Sequence, residues 1–378
     1  KVLEKMASEE IKIISLTITE GGYNFDQITG EFIKENPDVK NDINSKNPPK
    51  TVFGYIYRAL KLRYEKGIKP FTVMSCDNIQ GNGDVCKKAI ISFAELVGDK
   101  KITDWIKKEV PFPSSMVDRI TPKTTPNDIK EIEEKYGIKD NWPVVSEDFM
   151  QWVLEDNFVF GRPLYEQVGV QIVNDVEPYE LMKLRLLNAS HQGIAYFGYL
   201  MGYEFVDEAA SDPLMQKFLM RYMNDEATPT LKKVEGVDLG LYKKTLIERF
   251  TNKAIKDTIA RLAADSSDRI PKWIVPVINE RLKQGGKVAL SAAIVASWAR
   301  YAEGIDEKEQ PIEIIDNAKT SVMKAAAEQK NDPLSFIRQK VFFGNLIEEE
   351  RFTKDYLEAL ESLHKNGARN TLKMLVES

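Results

Sequence analysis

The first half of the chain alternates short apolar runs with longer amphipathic segments. Runs rich in apolar and β-branched residues predict buried strands at 11–20 (IKIISLTITE), 70–76 (PFTVMSC), 142–147 (WPVVSE) and 168–175 (VGVQIVND). Two segments repeat apolar residues at helical spacing, 51–67 and 84–99. Because strands alternate with helices, the pattern predicts an α/β domain with a mostly parallel, helix-covered sheet.

From about Pro178 onward, helical periodicity dominates the pattern. Long examples are 179–202, 242–263 and 288–304. The segment 34–50, KENPDVKNDINSKNPPK, is polar and predicts a loop. We therefore predict an α/β domain over residues 1–175, followed by a mostly α-helical domain over residues 176–378.

Composition narrows the function classes. The chain of 378 residues has 53 basic and 58 acidic side chains, a net charge of −5, which argues against a nucleic-acid partner. It has no apolar run of membrane-spanning length and opens on no signal peptide, so we expect a cytoplasmic protein that binds no membrane. With two histidines and two cysteines, a zinc site would be hard to assemble, and we predict no metal; carboxylate ligation of magnesium or calcium stays open.

One helical segment, ELMKLRLLNASHQG (180–193), is apolar on most sides yet carries Glu180, Lys183, Asn188 and His191. Counted at 100° per residue, these polar groups share one broad face. A core helix with locally satisfied polar groups is one explanation. The functional alternative is an acid/base site, because burial lowers the pKa of a lysine toward the range of a general base. An asparagine amide could donate to an oxygen that gains negative charge.

Polar residues also follow the first two predicted strands. They are residues 19–23 (TEGGY) and 75–78 (SCDN), and the carboxyl ends of parallel strands form the ligand sites of open α/β sheets. Ordinary turn chemistry of Asp, Asn and Gly is the alternative. Asp118, beside Arg119, could likewise be either a surface ion pair or an acceptor for a substrate hydroxyl.

Taken together, these stretches resemble one family. The spacing Lys183-x4-Asn188-x2-His191, preceded by EPYE and followed by GYLMG, is similar to the polyol-specific long-chain dehydrogenases, the mannitol 2-dehydrogenase family. The stretches ISLTITEGGYN, FTVMSCDN, SSMVDRITP, QWVLEDNF and LIERFTN agree and occur in family order. The resemblance implies a Rossmann-type first domain, a helical second domain and a site in the cleft between them.

The resemblance also implies an NAD- or NADP-dependent enzyme that interconverts a polyol such as mannitol with its ketose, fructose, without a metal. It implies a catalytic set of Lys183 as acid/base, Asn188 and Asn78 as oxygen-binding amides, His191, and Glu180 as a gating carboxylate. For the substrate hydroxyls it implies Asp118, Arg261 and Arg269, the last at a position where the family has lysine. For the cofactor we assign Thr19, Glu20, Asn78 and Val117.

The family's glycine-rich dinucleotide loop has no counterpart in this sequence. We therefore expect roughly a hundred residues of the first βαβ portion to be missing at the front. Two alternatives stay open: a fructuronate reductase of the same family, with Arg269 as the extra cation, and a catalytically silent binding fragment. The choice between NAD and NADP stays open as well, and we expect a monomer or a weak oligomer.

Overall fold

The computed structural model describes residues 1–26, 29–44 and 48–377, and the chain forms two compact units. The first comprises residues 1–119 and 150–180. The second comprises residues 120–149 and those from 181 onward. Residues 120–149, which the predicted domain of residues 1–175 includes, thus pack with the second unit.

The described residues of the first unit form five strands in two sheets. Strands β1 (Ile13–Leu16) and β2 (Thr72–Ser75) are parallel, with Leu16 opposite Ser75. Strand β4 (Gln151–Glu155) pairs antiparallel with β3 (Ser115–Asp118) and parallel with β5 (Gln171–Val173). The strand predicted at 142–147 is wrong: the backbone there joins no ladder, and Glu147 instead bonds the loop residue Ile120 through its backbone N–H.

Strand β2 lies in the core of the first unit, where its four residues are all buried, and the helices of this unit follow. Their bounds are α1 Val2–Met6, α2 Thr19–Gly22, α3 Pro37–Ile43, α4 Val52–Glu65, α5 Asn82–Val97 and α6 Lys100–Glu109. Helix α3 lies in the segment predicted as a loop, where the Asn36 side chain caps it by accepting the Asp38 N–H at 2.9 Å. Residues 45–47 of that segment lie outside the described residues.

The second unit is helical. Its helices are α7 Pro126–Tyr136, α9 Ala189–Leu200, α10 Val206–Ser211, α11 Pro213–Arg221, α12 Leu239–Phe250, α13 Ile259–Ala263, α14 Ser266–Trp273, α15 Val275–Lys283, α16 Ala289–Tyr301, α17 Lys319–Glu328, α18 Lys340–Phe343 and α19 Glu350–Glu377. The helix predicted over 242–263 is in fact two helices, because the chain leaves helical geometry between Phe250 and Ile259. Helix α16 is buried along nearly its whole length. Its Trp298 ring packs edge-on against that of Phe336, with 4.9 Å between the ring centres.

One helical segment spans the position in the sequence, between residues 180 and 181, where the first unit ends and the second continues. It begins as α8 (Glu177–Met182), widens into a π-helical stretch (Lys183–Asn188) and continues as α9. A second π-helical stretch spans Tyr222–Ala227, and the Tyr222 hydroxyl donates to the carbonyl oxygen of Arg185 at 3.2 Å. Of the helices described, none combines the length and hydropathy needed to cross a membrane.

Candidate active site

The two predicted strand ends lie side by side in the first unit, and Asp77 joins them. Its carboxylate accepts the backbone N–H groups of Ile18 at 3.1 Å and Thr19 at 2.7 Å, and the Tyr23 hydroxyl at 2.7 Å. These bonds cap α2 and hold Thr19 in the left-handed region, with φ of +64°. Thr19 and Glu20 remain exposed beyond the strand end, where a ligand could reach them.

Asn82 secures the second strand end. Its side-chain amide donates to the carbonyl oxygens of Asp77 at 2.9 Å and Ser115 at 2.7 Å, and its oxygen accepts the Ser115 N–H at 2.9 Å. The neighbouring site residue Asn78 is exposed. A fully buried asparagine with three bonds is a structural element, so turn chemistry accounts for Asn82.

The assigned residues of β3 differ in accessibility. Val117 pairs with Trp152 of β4 and is half-buried. Asp118, the last residue of the strand, is 6 % exposed. A carboxylate so poorly hydrated requires polar partners.

Glu180 belongs to α8, and its side chain lies at the start of α5. Its two carboxylate oxygens accept the N–H of Gly81 at 3.1 and 3.2 Å. Gly81 is in the left-handed region, with φ of +60°, and immediately precedes α5. The carboxylate therefore interacts favourably with the positive end of the helix dipole.

The π-helical stretch carries two site residues of the second unit, Lys183 and Asn188. Both are buried, at 6 % and 8 % exposure. The Asn188 Oδ1 atom is buried and has no hydrogen-bond partner among the described residues. Because a π-helix has a wider turn than an α-helix, the angular positions predicted at 100° per residue do not hold across this stretch.

His191 follows on α9, and its ring packs against that of Phe250 with the two planes tilted and 4.7 Å between the ring centres. Burial lowers its pKa to about 3, and the nearby cations Arg261, Arg249, Arg269 and Lys183 lower it further in the same direction. The imidazole is therefore neutral at physiological pH. In that form it can donate one hydrogen bond and accept another.

The two assigned arginines lie on neighbouring short helices. Arg261 of α13 forms a bidentate ion pair with Asp257, which raises the pKa of the guanidinium. Arg269 of α14 donates to the carbonyl oxygens of Leu262 at 2.8 Å and Arg261 at 3.3 Å. Asp257, the ion-pair partner of Arg261, lines the same small pocket as His191, and the charges of both arginines lower the pKa of the imidazole.

Sequence reasoning missed a buried ion pair beside this group. Arg249 contacts Glu147 at 3.0 and 2.8 Å, and its guanidinium lies 3.9 Å from the ring centre of Phe149. Arg249, Phe250 and His191 line one small pocket together with Ile120 and Asp257. The sequence offers no direct signal for this pair, because 102 residues separate its members.

The assigned residues are divided between the units. Thr19, Glu20, Asn78, Val117, Asp118 and Glu180 belong to the first, and Lys183, Asn188, His191, Arg261 and Arg269 to the second. Within the described ranges, no group of three or more His, Cys, Asp or Glu side chains is arranged to hold a metal ion.

Two protein-family models match the chain and show which family it belongs to. The family model for the mannitol dehydrogenase Rossmann domain matches residues 1–167, and the model for the mannitol dehydrogenase C-terminal domain matches residues 175–364. The chain belongs to the mannitol dehydrogenase family. Membership confirms the predicted fold class of a Rossmann-type domain followed by a mostly helical one.

Individual family members are similar along the whole chain. A mannitol dehydrogenase of Saccharomyces cerevisiae, DSF1, is 43% identical over 100% of this chain and 75% of its own length. A mannitol 2-dehydrogenase of Aspergillus fumigatus is 42% identical over 98% of this chain and 75% of its own.

Two solved structures are similar to this chain in fold. The Pseudomonas fluorescens mannitol 2-dehydrogenase, in a ternary complex with NAD and D-mannitol, is 43% identical to this chain. The match covers 100% of this chain and 77% of that protein, with a TM-score of 0.84. A D-sorbitol dehydrogenase in substrate-free form is 36% identical, covers 98% and 76%, and has a TM-score of 0.91.

Proposed function

We propose that this protein is an NAD-dependent polyol dehydrogenase that interconverts D-mannitol and fructose without a catalytic metal. The observation that carries the proposal is the pair of buried polar side chains on the π-helical stretch, Lys183 and Asn188. Asn188 Oδ1 has no hydrogen-bond partner among the described residues, although an unpaired buried amide is costly. A substrate hydroxyl would supply the missing partner.

Each residue of the group has a definite task in this chemistry. Lys183 takes the hydroxyl proton when the polyol is oxidised and returns it when the ketose is reduced. The Asn188 amide N–H can donate to the oxygen as negative charge develops, while its Oδ1 atom accepts from a neighbouring hydroxyl. Neutral His191 forms a hydrogen bond to the same oxygen or to the next hydroxyl, while Arg261, Arg269 and Asp118 bind the remaining hydroxyls, as the family resemblance implies.

The first unit fits a dinucleotide. Its parallel strands β1 and β2 end side by side, and exposed Thr19, Glu20 and Asn78 follow them, at the position where open α/β sheets bind such cofactors. NAD, when bound, supplies the acceptor for the hydride that leaves the carbinol carbon. Val117 would contact the cofactor, and Glu180, held at Gly81, would open or close access to the site.

Replacement of Lys183 by alanine tests the proposal. Wild-type mannitol oxidation should rise with pH through one ionisation, because only a neutral lysine accepts the proton, and fructose reduction should fall. Lys183→Ala should lose several orders of magnitude in kcat, and the pH dependence should disappear. Small added amines should restore part of the rate.

The matched control is Lys217→Ala, which removes an exposed lysine of α11 and should leave both the rate and the pH profile unchanged. Reduction of fructose is compared with that of fructuronate in the same assay. A Lys183→Ala variant that keeps the wild-type profile would show that another group carries the proton.

A further inference from the structure

A buried chain of hydrogen bonds joins α9 to the turn between α13 and α14. Tyr196 of α9 has no exposed surface, and its hydroxyl lies 2.7 Å from Gln192 Oε1 and 2.6 Å from Ser266 Oγ. The Ser266 hydroxyl donates in turn to the carbonyl oxygen of Ala263 at 2.7 Å. The chain thus runs between residues separated by up to 70 positions in sequence.

The Tyr196 hydroxyl is the donor at the centre of this chain. Two acceptors face it, Gln192 Oε1 and Ser266 Oγ, while the single hydroxyl proton of Ser266 goes to the carbonyl oxygen of Ala263. The Gln192 Nε2 atom is buried and has no partner among the described residues. Tyr196 thus links Gln192 of its own helix to Ser266 at the start of α14.

The turn held by this chain carries both assigned arginines. Arg261 lies in α13 and Arg269 in α14, and Asp265 between them is in the left-handed region, with φ of +52°. Arg269 also donates to the carbonyl oxygens of Leu262 and Arg261 in α13, which fixes its guanidinium relative to that helix. A shift of the turn would therefore move both guanidinium groups together.

Helix α9 connects this turn to the reacting group. His191 lies five residues before Tyr196 on the same helix. Since α9 carries His191 and also anchors the turn, it fixes the distance between the imidazole and the two arginines. A rigid frame of this kind is needed when several hydroxyls of one extended substrate bind at once.

We propose that Tyr196 is a positioning residue, which acts through Ser266 to set Arg261 and Arg269 at the spacing that selects a polyol chain. The inference rests on the proposed function, since it gives the arginines hydroxyl groups as ligands. Tyr196 touches neither substrate nor cofactor in this role. Its loss should affect binding of the long polyol and leave the proton-transfer groups in place.

The test is Tyr196→Phe, which removes one oxygen and keeps the ring. Because one neutral hydrogen bond is lost, the KM for D-mannitol should rise about three- to tenfold, with kcat, its pH profile and the KM for NAD unchanged. Ser266→Ala should give a rise of similar size. The double variant should be no worse than either single one, because both changes break the same chain.

Tyr301→Phe is the matched control: this tyrosine is buried, its ring lies 5.7 Å from that of Tyr196, and its hydroxyl bonds none of the described residues. It should keep the wild-type KM. Additive effects of the two single variants, or a fall in kcat at constant KM, would overturn the positioning role.

Amide hydrogen exchange separates this inference from the proposed function. Exchange across residues 259–273 should be faster in Tyr196→Phe than in the wild type, whatever the substrate, because the turn loses an anchor. Unchanged exchange there would overturn the hydrogen-bond chain. Failure of the wild type to oxidise mannitol would overturn the proposed function instead.

Discussion

Glu226 should make the stability of the second unit depend on pH. Its carboxylate is 1 % exposed and accepts the N–H groups of Leu290 at 2.8 Å and Ser291 at 2.7 Å, together with the Ser291 hydroxyl, at the start of α16. Burial raises its pKa from 4.5 to about 7, although these hydrogen bonds oppose the rise.

A raised pKa fixes the sign of the effect. Between pH 4.5 and 7 the folded chain holds a proton at Glu226 that the unfolded chain has released, so stability falls as pH rises through this interval. The rise in pKa corresponds to about 3 kcal/mol, a contribution present below pH 4.5 and lost above pH 7.

Glu226→Gln removes this ionisation while it keeps the size of the side chain. We expect the free energy of unfolding of the variant minus that of the wild type to increase by about 3 kcal/mol from pH 4.5 to pH 8, because only the wild type loses stability over this interval. Urea titrations at both pH values measure it, with the exposed Glu328→Gln of α17 as control. A difference between variant and wild type that stays constant with pH would refute the reasoning.

Two further predictions concern the proposed chemistry. Asn188→Ala should lower kcat for mannitol oxidation on the order of a hundredfold, because one preorganised donor is lost. Steady-state kinetics measure this loss, with Asn370→Ala at an exposed position of α19 as the control. Near-normal turnover of Asn188→Ala would contradict the prediction. Prolonged dialysis against a chelator should leave mannitol oxidation unchanged, because the proposed acid/base is a lysine; a loss that added zinc restores would contradict this.

Local pattern determined some of the elements and part of the candidate site, whereas strands β3 and β4 were not predicted. Helices α4 and α5 and strands β1 and β2 were predictable because each has a clear period and its own end signals. Lys183, Asn188 and His191 could be grouped because they lie within nine consecutive residues. Motifs in family order then indicated the family, which the comparisons confirm.

The tertiary structure decided what depends on distant parts of the chain. Periodicity reports how one segment is buried, and it says nothing about which partner a buried polar group meets. The pair of Arg249 with Glu147, and the bond from Tyr196 to Ser266, join residues 102 and 70 positions apart. The π-helical stretch at Lys183–Asn188 is likewise invisible to a wheel drawn at a fixed angle, because its wider turn forms within an otherwise α-helical segment.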